Sequence, residues 1–175
     1  MFTKDKNLFQ TFVSSIKWSH SITVEPFPGF PMNNNEMCQR MRQIEFNLNK
    51  RCLKSSFPKW DMPDRFFMMW SAEGGAGTGQ EKHFHLLLHS PDQLNSDDIS
   101  KLLKNGVEDY IKLEWWKLPR ADNIPSPPLH ISKVRSNIAA SIYTTKQHMS
   151  HIQKAIKRTS KIQKEEIHGW GFLKI

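Results

Sequence analysis

The sequence predicts an α+β fold: a central antiparallel β-sheet with helices packed on one face. Three observations carry that expectation. Short segments of period-two alternation and longer ones of three- and four-residue steps follow one another in the order βαββαβα. Only a brief glycine-rich link separates the second and third strands, which suits a hairpin. No run of repeated strand-helix-strand crossovers argues for a parallel sheet. At 175 residues, with no internal repeat and no long linker, 1–175 reads as a single domain.

Ser15 to Val24 is β-branched and partly alternating, and Pro26, Pro28 and Pro31 stop it, so it is the expected first strand. Asn33 to Asn35 offer helix caps. Met37, Met41, Ile44 and Leu48 then recur at helical spacing, predicting an amphipathic helix over Glu36 to Leu53 whose stripe covers the sheet. Arg65 to Glu73 is the second strand, with Phe66, Met68, Trp70 and Ala72 on one face and Phe67, Met69, Ser71 and Glu73 on the other. Lys82 to His89 returns as its hairpin partner. Ser96, followed by Asp97 and Asp98, opens a helix interrupted at Asn105-Gly106. Val107 to Leu118 carries no decisive period. Leu129 to Val134 is the last strand, Asn137 to Gln147 a helix, and 148–175 a basic helical C-terminal segment.

Lys+Arg of 25 against Asp+Glu of 17 gives a net charge of +8, which favours a polyanionic partner over an acidic small molecule. A hydrophobic fraction of 38% with 11% aromatics excludes a disordered basic tail as a description of the whole. Cys38 and Cys52 lack any paired metal-binding spacing and read as thiols of a reducing compartment. No signal-length or membrane-length apolar run occurs, so a soluble, cytoplasmic protein without membrane partners is expected.

His83-Phe84-His85 is the chemical centre of the sequence. Imidazoles at i and i+2 of a strand share a face and can grip one cation, while Phe84, Leu86 and Leu88 face the core. Across a hairpin Glu73 adds a carboxylate. Two imidazoles, one carboxylate and open positions suit a catalytic divalent ion: nitrogen donors tilt toward Mn²⁺, a phosphate substrate toward Mg²⁺. His89 lies on the same face as a candidate supporting group or an ordinary exposed histidine. The Gly74 to Gly79 run is followed by Gln80 and Glu81, so it is no Walker loop.

Tyrosine needs a nearby cation and a substrate held in line before it can act as a nucleophile. Tyr143 has Lys146 one helical turn on; Tyr110, the only other tyrosine, has no cation at i+3 or i+4.

Glu73, the glycine-rich hairpin and His83-Phe84-His85, followed by Tyr143-Thr144-Thr145-Lys146, resemble the HUH endonucleases, in particular the rolling-circle replication initiators. Trp18 to Glu25 is a loose match to the initiators' first motif. The resemblance implies one HUH nuclease domain, a ferredoxin-like or RRM-like sandwich without a helicase domain. It also implies metal-dependent nicking of single-stranded DNA or an origin hairpin, with Tyr143 and Lys146 catalytic. Glu73, His83 and His85 would hold Mg²⁺ or Mn²⁺, Tyr143 would form a 5′-phosphotyrosine, and a free 3′-OH would be released. The element would be a plasmid or virus in a bacterial or archaeal cell, or in the nucleus for a eukaryotic virus.

Tyr143 to Gln147 also reads Tyr-x-x-x-Gln, the arrangement of single-tyrosine HUH transposases, in which Gln147 would be an alternative metal ligand. A noncatalytic DNA-binding regulator is the third reading, and an RNA-binding module would want aromatics rather than histidines on the open face. Lys133, Arg135, Lys154, Lys157, Arg158 and Lys161 are the expected phosphate contacts, with Trp18, Trp115 or Trp116 available to stack unpaired bases.

Overall fold

The structure is a computed structural model that describes residues 11–27, 30, 32–54, 64–74, 82–118, 126–137 and 139–140. Its elements follow in the order β1 (Trp18–Val24), α1 (Asn34–Leu53), β2 (Phe67–Glu73), β3 (His83–His89), α2 (Ser96–Leu103), α3 (Gly106–Lys117) and β4 (Leu129–Lys133). The four strands make one sheet in the order β2-β3-β1-β4, every neighbouring pair antiparallel. This is the split βαβ arrangement, in which β3 lies between β1 and β2 and α1 carries the chain across.

Each helix boundary has a local cause. Asn33 accepts the Glu36 amide at 2.8 Å and starts α1, and Lys54 ends it at φ 62°. Asn95, one residue before the expected Ser96, caps α2 by accepting the amides of Asp97 and Asp98. The expected break holds: Lys104 (φ 65°) and Gly106 (φ 88°) turn the chain through left-handed backbone, and at Gly106 a side chain would be strained. The stretch with no decisive period is α3, which puts Ile111 and Trp115 into the core.

Met37, Met41, Ile44 and Leu48 of α1 meet Ile22, Met68, Trp70, Phe84, Leu86 and Leu88 of the sheet, so the main core lies between the helices and one sheet face. The edge strand β2 is held by α1 side chains. Asn49 donates to the Phe66 carbonyl and accepts its amide, both at 2.8 Å, and Glu45 accepts the Met68 amide at 3.0 Å.

Two expectations are corrected. The first strand begins at Trp18, not Ser15, because 11–15 form a helical turn. The register shifts between Trp18 and His20, so Trp18 leaves the face of Ile22 and Val24 and joins Val13, Met69 and Leu87 in a second small cluster on the opposite face. The part of the supposedly open face around Trp18 and Met69 is thereby covered, by the helical turn and by the chain around Val134 and Ala140. The rest of that face holds Glu73, His83 and His85. Cys52 is buried and Cys38 half-buried, both as free thiols. Among the described residues no helix is long and apolar enough to cross a membrane.

Candidate metal centre

The site is assembled by strand register. Glu73 ends β2 and His83 begins β3 directly opposite it; His85, two residues on, lies between Ser71 of β2 and Thr23 of β1 on the same face. Glu73 Oε2 lies 3.0 Å from His83 Nε2 and 3.2 Å from His85 Nε2, and one donor atom from each residue falls within 4.8 Å of the others. The group can hold a metal ion. Donors bound at about 2.1 Å and at right angles are about 3 Å apart, so Glu73 Oε2 is spaced to share an ion with either imidazole.

The surroundings favour the ligating forms. Burial lowers the pKa of His85, the neighbouring His83 adds to that, and the Glu73 carboxylate opposes it, so an imidazole lone pair is available near neutral pH. Thr23 Oγ1 lies 3.4 Å from His85 Nδ1 and contacts the ring from behind. Ser71, on the same face, buries a hydroxyl that has no hydrogen-bond partner among the described residues.

A cavity of about 320 Å³ opens beside His85, floored by Ser21 and Thr23 and walled by Lys133, Arg135, Ser136, Ala139 and Ala140. Of the sequence-nominated cations, Arg135 lines this cavity beside His85, whereas Lys133 stands opposite His20 in the β1–β4 pairing and its charge acts on His20 on the helix side. The segment leading to the tyrosine is anchored here as well: Asn137 Oδ1 accepts the Trp18 amide at 3.2 Å, and Ala140 packs on the second cluster. Tyr143, Lys146, Gln147, Lys154, Lys157, Arg158 and Lys161 lie outside the described residues.

Tyr110 stands elsewhere, on α3 in the helix layer, its hydroxyl donating to the Asn47 carbonyl at 3.4 Å. Burial, with Glu114 adding to it, raises the pKa of its phenol. His89 is neither an exposed residue nor part of the metal group. It is 2% exposed, hydrogen-bonded to the Lys17 carbonyl at 2.9 Å and packed on Phe67. Trp18 and Trp115 cannot stack bases either, since both are buried with their indole N–H groups on the Val13 and Pro127 carbonyls. Trp116, 56% exposed, is the one of the three that can.

Sequence reasoning missed Thr23, Ser71 and His130. All three share the face of His85 in one row across the sheet, Ser71, His85, Thr23, His130. Their alternation is visible along each strand, but which residue stands beside which is decided by pairing between strands.

No protein-family model matches the chain, and no curated protein does. It is similar to a solved structure, the hypothetical protein ORF119 from Sulfolobus islandicus rod-shaped virus 1. The identity is 15% and the TM-score 0.37, over 91% of this chain and 99% of that one.

Proposed function

We propose that this chain is an HUH-type endonuclease of the rolling-circle initiator kind, which nicks and rejoins single-stranded DNA through Tyr143. The observation that carries the reading is the convergence of Glu73 Oε2, His83 Nε2 and His85 Nε2 on the sheet face opposite the helices, beside a cavity with Arg135 in its wall. Tyr110 lies in the helix layer, its hydroxyl on the Asn47 carbonyl and its pKa raised by burial, which leaves Tyr143 as the nucleophile of this reading.

In this reading the phosphate of a single strand lies over the histidine face, with Arg135 on its oxygens. The Tyr143 phenolic oxygen attacks phosphorus in line and loses its proton as the new P–O bond forms. The P–O3′ bond breaks, the 3′-oxygen takes up a proton, and a 5′-phosphotyrosine with a free 3′-OH results. Lys146 is the cation beside the developing phenolate. A divalent ion at the triad, Mg²⁺ or Mn²⁺, supplies positive charge to the phosphate oxygens. Attack by a 3′-OH on the phosphotyrosine reverses the step and rejoins strands. The partners are then single-stranded DNA or an origin hairpin and a separate helicase.

A transposase with Gln147 as ligand is the second reading, and the carboxylate already supplied by Glu73 favours the replication type over it. The test incubates the full chain with labelled single-stranded oligonucleotides, hairpins included, with Mn²⁺ or chelator. A denaturation-resistant adduct that requires metal and disappears in Tyr143→Phe is expected. An adduct that survives in Tyr143→Phe, or no adduct in any pool, would overturn the proposal.

A further inference from the structure

On the helix side of the sheet, away from the metal group, a cavity of about 660 Å³ opens between the start of β1 and the first turns of α2 and α3. His20 stands in its wall at 8% exposure. Its Nδ1 lies 3.0 Å from Ser19 Oγ, and that hydroxyl already donates to the Leu88 carbonyl at 2.9 Å while accepting from Ser90 Oγ at 2.8 Å. With its single hydrogen committed, Ser19 Oγ can only accept from His20, which assigns the proton to Nδ1 and leaves Nε2 an acceptor. Burial lowers the His20 pKa, with Glu108 opposing and Lys133 assisting, which keeps the ring neutral.

Nε2 makes no hydrogen bond among the described residues. The group facing it, Glu108 Oε1 at 3.9 Å, is also an acceptor. Two acceptors at that separation can be bridged by one nitrogen that carries two hydrogens. Three carboxylates, of Asp92, Glu108 and Asp109, against the ammonium groups of Lys17 and Lys133 make the cavity a poor phosphate site. Lys133 lines this cavity and the one beside His85, so a strand lying over the metal face reaches this mouth around the β4 edge.

Resting on the nuclease reading, we propose that this second cavity takes one unpaired, amino-bearing base of the bound strand. The exocyclic NH₂ of cytosine, adenine or guanine donates one hydrogen to Glu108 and the other to His20 Nε2. Thymine, which has no amino group, is rejected, because both acceptors would be left unpaired. The cavity thus reads sequence at a position flanking the nick, while the metal face handles the phosphate.

The test titrates the full chain with millimolar deoxycytidine, deoxyadenosine, thymidine and inorganic phosphate, following the His20 ring signals by NMR, and separately scores DNA adduct formation. Deoxycytidine or deoxyadenosine should shift the His20 signals, and thymidine and phosphate should not. Glu108→Gln, its fold checked by circular dichroism, should weaken binding about tenfold, while Glu73→Ala leaves it unchanged. An equal response to thymidine, a response to phosphate alone, or none to any nucleoside would overturn the inference. A nucleoside response without a DNA adduct would retain the pocket and sink the nuclease; an adduct without a nucleoside response would do the reverse.

Discussion

Thr23 Oγ1 stands 3.4 Å from His85 Nδ1, on the opposite side of the ring from the Nε2 atom that meets Glu73. The pairing of β1 with β3 places the two residues side by side, so a hydroxyl on one strand contacts the ring of a residue that can ligate a metal on the next. Thr23→Val keeps the β-branched shape and removes only that contact. Mn²⁺ affinity is expected to fall about tenfold by calorimetric titration with the melting temperature nearly unchanged. An unchanged affinity would show that Thr23 does not position the ligand.

Glu73 supplies the only oxygen donor of the triad. Glu73→Ala should therefore reduce metal-dependent DNA cleavage far more than Gln147→Ala. Rates measured with the same oligonucleotide at fixed Mn²⁺ decide it, and the reverse ranking would move the third ligand to Gln147 and favour the transposase arrangement.

Trp115 and Trp116 are neighbours in sequence with opposite fates, one fully buried in the core and the other 56% exposed. Trp115→Ala should cost about 3–5 kcal/mol of stability in denaturant unfolding, and Trp116→Ala within about 0.5 kcal/mol. If Trp116 stacks a base, its loss weakens single-strand binding by about 1–3 kcal/mol, which fluorescence anisotropy with oligonucleotides would read.

Glu45 turns its carboxylate onto β2, where desolvation raises its pKa from 4.5 to about 7 against the opposing Met68 amide and the Arg65 and Arg42 charges. The native state then holds a proton that the unfolded chain has released, so stability falls as pH rises from about 4.5 to about 7 and stays lower above that. Glu45→Gln keeps an acceptor for the Met68 amide without the charge. It should stabilise the protein at pH 8 by on the order of 1–3 kcal/mol, and by nothing near pH 4, in urea unfolding at the two pH values. An equal effect at both would mean that no buried charge is involved.

The separation of β2 from β3 by a glycine-rich link and the alternation of both strands were legible in the sequence. So were the amphipathic face of α1 and the break at Gly106. These are local properties: backbone periodicity and the conformational freedom of single residues act over a few positions, and a strand's alternation already says that His83 and His85 share a face. Glu73 as their companion was legible for the same reason, since a hairpin brings its two ends together.

Only the tertiary structure decided what each face met. A register shift beside Ser19, invisible in the alternation of Trp18 to Val24, sent Trp18 to the opposite face. That side chain, with Phe67, then closed over His89, removing it from the surface. The row of Ser71, His85, Thr23 and His130 and the two acceptors of His20 and Glu108 depend on pairings between residues far apart in the chain. Those pairings are chosen by which packing buries the most apolar surface and leaves the fewest polar groups unpaired, a property of the whole chain that no short window contains.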